Sequence, residues 1–418
     1  MITSLMDIDV YKLYMLQYYW YYRYTNYHAT FQVICRKGRL RDCISSSELR
    51  RILDNIKDLA ISDHELNYLA SLMRDGQYIF QPEFLEYLRT LELSEYTVEL
   101  GNNDDYDIRF SGRLGEVTLW ETLALSDITE CYYDNYIYKN SMSSNYLLLE
   151  EGVKRLLAKV HALMIPSPSI IDFVTRRRRS HMWHDLMLDI ILNGYKGSEY
   201  GSFLSGTSNV HFAMKYGLPV IGTMAHELDM FLACLTLYME GELSSAPSRV
   251  AWEWQELYPK SMRIYLPDTF GSESVLGEIS EYNRVAELVF NDWAGVRIDS
   301  GDPMYWVGRW VEEYKKRGVD LDSVSIVPSD GLSLEDILNL DNTYGKVAKL
   351  KYGWGTGLGN DMGLPKLSIV AKLVEACGIP AVKLSDTAGK HVGPSDYVDM
   401  YKKAFHYNDN VTGRKMEE

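Results

Sequence analysis

From Ile170 onward the chain repeats one pattern: a short apolar run of strand length, a polar or glycine-rich cluster, then a helical stretch. Runs at Ile170–Val174, Ser202–Gly206, Val220–Thr223, Ile264–Leu266, Val296–Ile298, Ser325–Val327, Lys349–Tyr352 and Ser368–Leu373 make seven or eight βα units. Strands that alternate with helices build a parallel sheet, and in a barrel all their C-terminal ends lie on one rim, where sites are assembled. The clusters after these strands are Thr175-Arg176-Arg177, Gly206-Thr207-Ser208-Asn209, Ala225-His226-Glu227, Asp299-Ser300-Gly301-Asp302, Ser329-Asp330-Gly331 and Gly353 to Gly359. They are expected to converge in space although they are far apart in the chain.

The segment ahead of this repeat reads differently. Asp7 to Tyr24 carries apolar and aromatic residues at three and four spacing without Gly or Pro, which predicts a helix with the acids Asp7 and Asp9 in or near its first turn. A strand follows at Ala29–Cys35. Ser62 and Glu65 have the separation of a capping box opening a helix over His64–Met73. Tyr96–Leu100 and Tyr106–Phe110, joined through Gly101-Asn102-Asn103-Asp104, read as a hairpin, and a long helix spans Leu147–Met164. The expected architecture is α/β: an N-terminal α+β domain over residues 1–140, an irregular TIM-like α/β barrel over 141–384, and a C-terminal segment, 385–418, that packs back on the N-terminal domain. The polar tail from Asn408 to Glu418 is expected to fray.

Composition narrows the functional classes. A formal charge of -15 argues against a general nucleic-acid surface, because phosphate backbones are held by Lys and Arg. No run of about 18 apolar residues exists to cross a membrane. The opening MITSLMDIDVYKLYM has acids where a secretory signal has a basic region, so a cytoplasmic location is expected. The five cysteines are scattered without CxxC spacing, which points to a reduced compartment and to neither a disulfide framework nor a zinc site. The histidines form no HxH or HExxH, and no P-loop, GxSxG or GxGxxG occurs, so no resident metal cluster is read from spacing.

Three clusters carry chemistry. In Arg297-Ile298-Asp299-Ser300-Gly301-Asp302-Pro303 a cation and a carboxylate share one side of a strand end before a turn, placed to aim Asp299 and Asp302 at sugar hydroxyls or Mg²⁺ and Arg297 at an anion; a plain surface Arg–Asp pair is the competing reading. The glycines Gly353, Gly355 and Gly357, with Thr356 among them, follow a late strand, where several barrels bind phosphate; a tight turn explains such a run equally well. Arg176 to Arg179 form a dense cationic run in an acidic chain, and Arg176 is nearest the strand end. His226 by itself reads as a structural hydrogen bonder, and Tyr11 as an ordinary aromatic.

Together these pieces resemble the nicotinate phosphoribosyltransferase family. The segments LMDIDVYKLYM, IDFVTRRRR, GTSN, GTMAHE, RIDSGDP, PSDGL, YGWGTGL and AKLVEACGIPAVKLSD recur in order from residue 5 to about residue 390. The resemblance implies a type II phosphoribosyltransferase fold and a homodimer with sites at the interface. It implies transfer of nicotinate to 5-phosphoribosyl 1-pyrophosphate in NAD salvage, with ATP hydrolysis and Mg²⁺. By the same likeness His226 is a phosphohistidine formed with ATP, and Phe173 and a neighbouring subunit's Tyr11 sandwich the pyridine ring. Arg297 meets the nicotinate carboxylate, Arg176 the pyrophosphate, and Asp299 the ribose hydroxyls. Asp330, Gly353, Gly355, Thr356 and Gly357 surround the 5-phosphate, Thr207 and Ser208 lie beside the base, and Lys372 belongs to the phosphate region.

The family usually has Gly where this chain has Val174, whose Cβ is expected to restrict the backbone or shift Phe173. Nicotinamide phosphoribosyltransferase is the nearest alternative, and Ser208 in place of a carboxylate favours the acid substrate. A barrel that binds the same ligands without turnover is the alternative of another class, with Val174 as its hint.

Overall fold

The computed structural model describes residues 1–140, 145–194, 202–276, 283–387 and 390–409. Gly295–Ile298 and Ser325–Pro328 are buried along their whole length, as parallel strands covered on both faces must be. They are the centre of a parallel sheet in the order Lys349–Leu350, Ser325–Pro328, Gly295–Ile298, Ile264–Tyr265. A second parallel sheet runs Tyr352–Trp354, Ile170–Asp172, Leu204–Thr207. The run expected as one strand, Lys349–Tyr352, is thus shared between two. Lys351 N–H still donates to Ile326 at 3.1 Å, and Tyr352 N–H already donates to Ser169 at 2.8 Å, so one extended stretch stitches both sheets into a curved wall.

Two expected barrel strands are different in the structure. Among the described residues Val220–Thr223 makes only a single parallel bridge, Val220 to Thr207. The N-terminal arm presses on it here: a Cβ on Gly222 would come within 2.7 Å of Val10 Cγ1 and 3.1 Å of the Tyr11 nitrogen. The barrel is therefore irregular at this seam. Ser368–Leu373 is also no barrel strand. It extends over Ser368–Ala376 and runs antiparallel to His28–Lys37 at the middle of a five-stranded sheet. That sheet has the order Ile379–Pro380, Ser368–Ala376, His28–Lys37, Tyr106–Arg113, Tyr96–Leu100. The N-terminal unit is completed by residues from far along the chain, beyond the boundary read at residue 140.

One face of this sheet, with Phe31, Val33, Ile108, Phe110, Ala371 and Leu373, is buried under the helix Trp120–Lys139, whose Trp120 stacks on Phe110 at 4.6 Å. The helix His226–Glu240, which begins at a barrel strand end, also lies on Ser368–Ala376. The capping box of Ser62 and Glu65 is present and opens Asp63–Ser71. The hairpin Tyr96–Leu100 with Tyr106–Arg113 and the helix Asn145–Met164 are likewise formed. The C-terminal helix Ser395–Ala404 sets Tyr401 5.7 Å from Phe270, and Phe405 just beyond it stacks on the same ring at 4.2 Å. Residues 410–418 of the tail lie outside the described residues.

Val174 needs no glycine backbone, since its φ is -84° and ψ -26°. Its fully buried side chain fills the space left by another glycine: a Cβ on Gly359 would lie 1.9 Å from Val174 Cγ1. The pair ties the first barrel motif to the Gly-rich loop. We expect Gly359→Ala to cost about 1–3 kcal/mol by overpacking, and the same substitution to cost clearly less in a Val174→Gly background, read by denaturant unfolding of the four proteins. Additive losses would contradict this packing.

Candidate functional site

Asp7 and Asp9 do not act as helix caps. The helix begins at Val10, with no acid in its first turn and no side-chain bond from Asp9. Instead both reach into the first barrel motif. Arg178 grips Asp7 through two hydrogen bonds of 2.7 Å, both side chains buried, and Arg176 Nε lies 3.3 Å from Asp9. The arginine run is thus divided by partner: Arg179 pairs with Asp134, Arg177 donates to the Ile369 carbonyl, and Arg176 is left at the strand end. Arg176 also donates to Glu121 at 2.9 Å and lies 5.4 Å from the Tyr11 ring. Tyr11, expected from a second subunit, is buried in this chain and donates its hydroxyl to Glu121 at 3.2 Å.

The RIDSGDP turn builds the opposite wall. Arg297 donates to Ser329 Oγ at 2.8 Å, Thr223 Oγ1 at 3.1 Å and Asp299 Oδ1 at 2.6 Å, and lies 5.6 Å from the Phe173 ring. Burial opposes ionisation of Asp299, but the charge of Arg297, with that of Lys383, outweighs it and holds the carboxyl well below the usual range. Gly301 has φ +78°, which only glycine adopts cheaply. Asp302, read above as aimed at sugar or Mg²⁺, caps the helix Pro303–Lys316 by accepting from Tyr305 N–H at 3.0 Å. Ser300 donates to Asp268 and accepts from Asp386 N–H.

His226 is where the two walls meet. It is the first residue of the helix His226–Glu240; its Nε2 lies 3.1 Å from Asp299 Oδ2 and 2.6 Å from Lys383 Nζ, and its Nδ1 lies 3.0 Å from Thr269 Oγ1. Lys383 also donates to Asp268 at 3.1 Å. Burial first, and Lys383 next, push the imidazole below its ordinary pKa, so the neutral ring is favoured at pH 7. Lys383, Asp268 and Thr269 escaped the sequence reading because they follow no glycine-rich strand end; the KLSD segment containing Lys383 was the available signal. Lys372 was singled out instead. It lies on the N-terminal sheet, paired with Gln32, and burial together with Lys383 and Arg36 pushes it down to about 7.

The remaining candidates divide. Ser208 Oγ donates to Asp9 at 2.5 Å, so a carboxylate stands beside the GTSN turn after all. Thr207 donates to Asp172 at 2.7 Å and accepts from Asn209 N–H, and is fully buried. Asp330 stands 4.0 Å from Lys390. The glycines have packing reasons: a Cβ on Gly353 would meet the Phe173 ring at 2.5 Å, one on Gly357 the Trp354 indole at 2.5 Å, and one on Gly355 the Phe173 carbonyl at 3.1 Å. Thr356 starts only a single turn, Thr356–Gly359.

Asp229, one turn beyond His226, is raised to about 7 by burial and by Asp268. A pKa raised on folding gives stability that is present in acid and lost as pH climbs through the folded value. The Tm of Asp229→Asn minus that of the parent should therefore grow between pH 5 and 7.5; a constant difference would contradict the raised value.

The comparisons with known proteins agree with this layout. The model of the nicotinate phosphoribosyltransferase (NAPRTase) family matches residues 169–409, more than half of the chain, and that of the family's N-terminal domain matches residues 6–129. A nicotinate phosphoribosyltransferase from Porphyromonas gingivalis superposes with a TM-score of 0.81 at 26% identity, over 97% of this chain and 100% of that one. One from Vibrio cholerae gives 0.81 at 25% identity, over 97% and 94%. A Saccharomyces cerevisiae structure shares the fold at 24% identity, with a TM-score of 0.82 over 97% and 99%. With both halves of the chain matched and the barrel rim assembled from the motifs that carry the likeness, the chain belongs to the nicotinate phosphoribosyltransferase family.

Proposed function

We propose that the protein joins nicotinate to 5-phosphoribosyl 1-pyrophosphate, forming nicotinate mononucleotide and pyrophosphate in NAD salvage, with ATP hydrolysed through a phosphohistidine at His226. The observation that carries this reading is the cluster of His226, Asp299, Arg297 and Lys383, in which a neutral imidazole faces a lysine and an ionised carboxylate at a barrel rim. Departure of pyrophosphate leaves positive charge on the sugar, so catalysis rests on cations at the leaving group and on in-line placement of the ring nitrogen, with little acid–base work. Phe173 under Arg297 and Tyr11 under Arg176 are apolar faces, each with a guanidinium above, that suit a flat anionic ring. Because Asp9 stands beside Ser208, preference for the acid rests on Arg176 and Arg297 rather than on the absence of a carboxylate.

Asp299 is assigned to the ribose hydroxyls, and Asp330 with Gly353, Gly355, Thr356 and Gly357 to the 5-phosphate. Lys372 and Thr207 are assigned supporting places in the phosphate region and beside the base. No described group of three or more acids, histidines or cysteines is arranged for a metal ion. Mg²⁺ would therefore arrive on the polyphosphates, as it commonly does, and Asp268 fits it best because its buried Oδ1 has no partner among the described residues. When bound it would supply charge for the leaving pyrophosphate. The proposed assembly is a homodimer in the cytoplasm. No helix among the described residues is long and apolar enough to cross a membrane. Exposed Tyr21, Tyr138, Tyr238 and Trp252 offer apolar surface for a second copy.

Pyrophosphate release with and without ATP tests the coupling. His226→Ala is expected to keep a residual, nicotinate-dependent turnover and to lose its stimulation by ATP. Undiminished stimulation would remove His226 from the coupling.

A further inference from the structure

Two residues behind His226 fix which of its ring nitrogens is free. Thr269 Oγ1 lies 3.0 Å from Nδ1 and donates its own proton to Asp229 Oδ2 at 3.1 Å. Thr269 and Asp229 are both buried, at 2% and 1% exposure. A hydroxyl has one proton, so while it is committed to Asp229 the Thr269 oxygen meets Nδ1 only as an acceptor, and Nδ1 must carry the hydrogen. The other oxygen of Asp229, Oδ1, is buried without a hydrogen-bond partner among the described residues. An ionised Asp229 can only accept, so the direction of the chain is Nδ1–H to Thr269 to Asp229.

On the other side of the ring Nε2 lies 2.6 Å from Lys383 Nζ and 3.1 Å from Asp299 Oδ2; an ammonium can only donate and asks for a lone pair at the nearer distance, while Asp299 is already served by Arg297. We infer that Asp229 and Thr269 are positioning residues that hold neutral His226 in the Nδ1–H tautomer, so that Nε2 is the nucleophile toward the phosphoryl donor. The inference rests on the phosphohistidine reading for its use, although the tautomer itself does not depend on ATP. In the transfer, a bond forms from Nε2 to the terminal phosphorus of ATP, and the bridging P–O bond breaks with its electron pair on departing ADP. Nε2 has no proton to lose. Nδ1 keeps its proton on Thr269, where the positive charge that develops on the ring is met by the Thr269–Asp229 pair. A ring in the opposite tautomer would present Nε2–H to Asp299 and offer no lone pair.

The test is nitrogen NMR of the full chain labelled at histidine, which tells a protonated ring nitrogen from a bare one without ATP. His226 in the parent should show a bare Nε2 and a protonated Nδ1 at a pH above the Asp229 value of about 7, where that carboxyl is ionised. Thr269→Val, near in shape and lacking the hydroxyl, should shift the population toward Nε2–H, as should Asp229→Leu; Thr269→Ser should keep the parent pattern. With ATP, phosphate in the parent should appear on Nε2, and its rate of appearance should fall at least tenfold in Thr269→Val and recover in Thr269→Ser. A parent ring already in the Nε2–H form, or no change of tautomer in Thr269→Val, would overturn the inference. Parent protein with the expected tautomer but no phosphohistidine would instead count against the ATP-coupled reading alone.

Discussion

A single buried ammonium joins the parts that have to be in register. Lys12, with no exposure, lies between Glu121 at 2.7 Å and Glu227, so that the N-terminal helix, the central helix of the N-terminal half and the helix that starts at His226 meet at one charge. Each carboxylate is shared further. Glu121 also takes Arg176 and Tyr11, and Glu227 also takes Tyr19 and Thr118. A buried ion stripped of its partner costs about 3–5 kcal/mol, while the intact group is roughly neutral for stability. The value of such a joint is therefore geometric: it makes one arrangement of three helices far cheaper than its neighbours. Arg176 is fixed through Glu121, and His226 through the residue next to it.

The same logic runs outward to the rim. Asp7 with Arg178 and Asp9 with Arg176 sew the N-terminal arm to the first barrel motif, and Arg297 with Asp299 sets the strand end that faces His226. These pairs place guanidinium groups at the rim of an acidic chain, each beside a carboxylate. Packing supplies the second constraint. Gly353 makes room for Phe173 and Gly359 for Val174, so the Gly-rich loop is shaped first by the side chains it must pass.

What the sequence revealed follows from the range of its signals. Parallel strands such as Gly295–Ile298, the capping box at Ser62 and the hairpin at Tyr96–Arg113 are set by neighbours in the chain, so pattern and turn residues disclose them. The strand Ser368–Ala376 carries the same apolar pattern whether it joins a barrel or pairs with His28–Lys37; only the tertiary partner decides. Asp7, Asp9 and Asp302 show the same limit. Asp302, aimed by its motif at sugar or metal, is a cap, while Asp7 and Asp9, which read as acids suited to a helix start, are not, because Arg176 and Arg178 lie about 170 residues away and outbid a backbone N–H. The motifs mark Arg297, Asp299 and His226, and the KLSD segment holds Lys383, whereas Thr269 and Asp229 are visible only once folding has placed them behind the imidazole.

The proposed chemistry of this rim is transfer of a phosphoribosyl group to nicotinate. The most direct measurement is the identity and amount of product formed from 5-phosphoribosyl 1-pyrophosphate when the purified protein is given nicotinate or nicotinamide at equal concentration. The expected product is nicotinate mononucleotide with one pyrophosphate released per product, and far less product from the amide. Preference for nicotinamide, or binding of the donor with no pyrophosphate released, would contradict it.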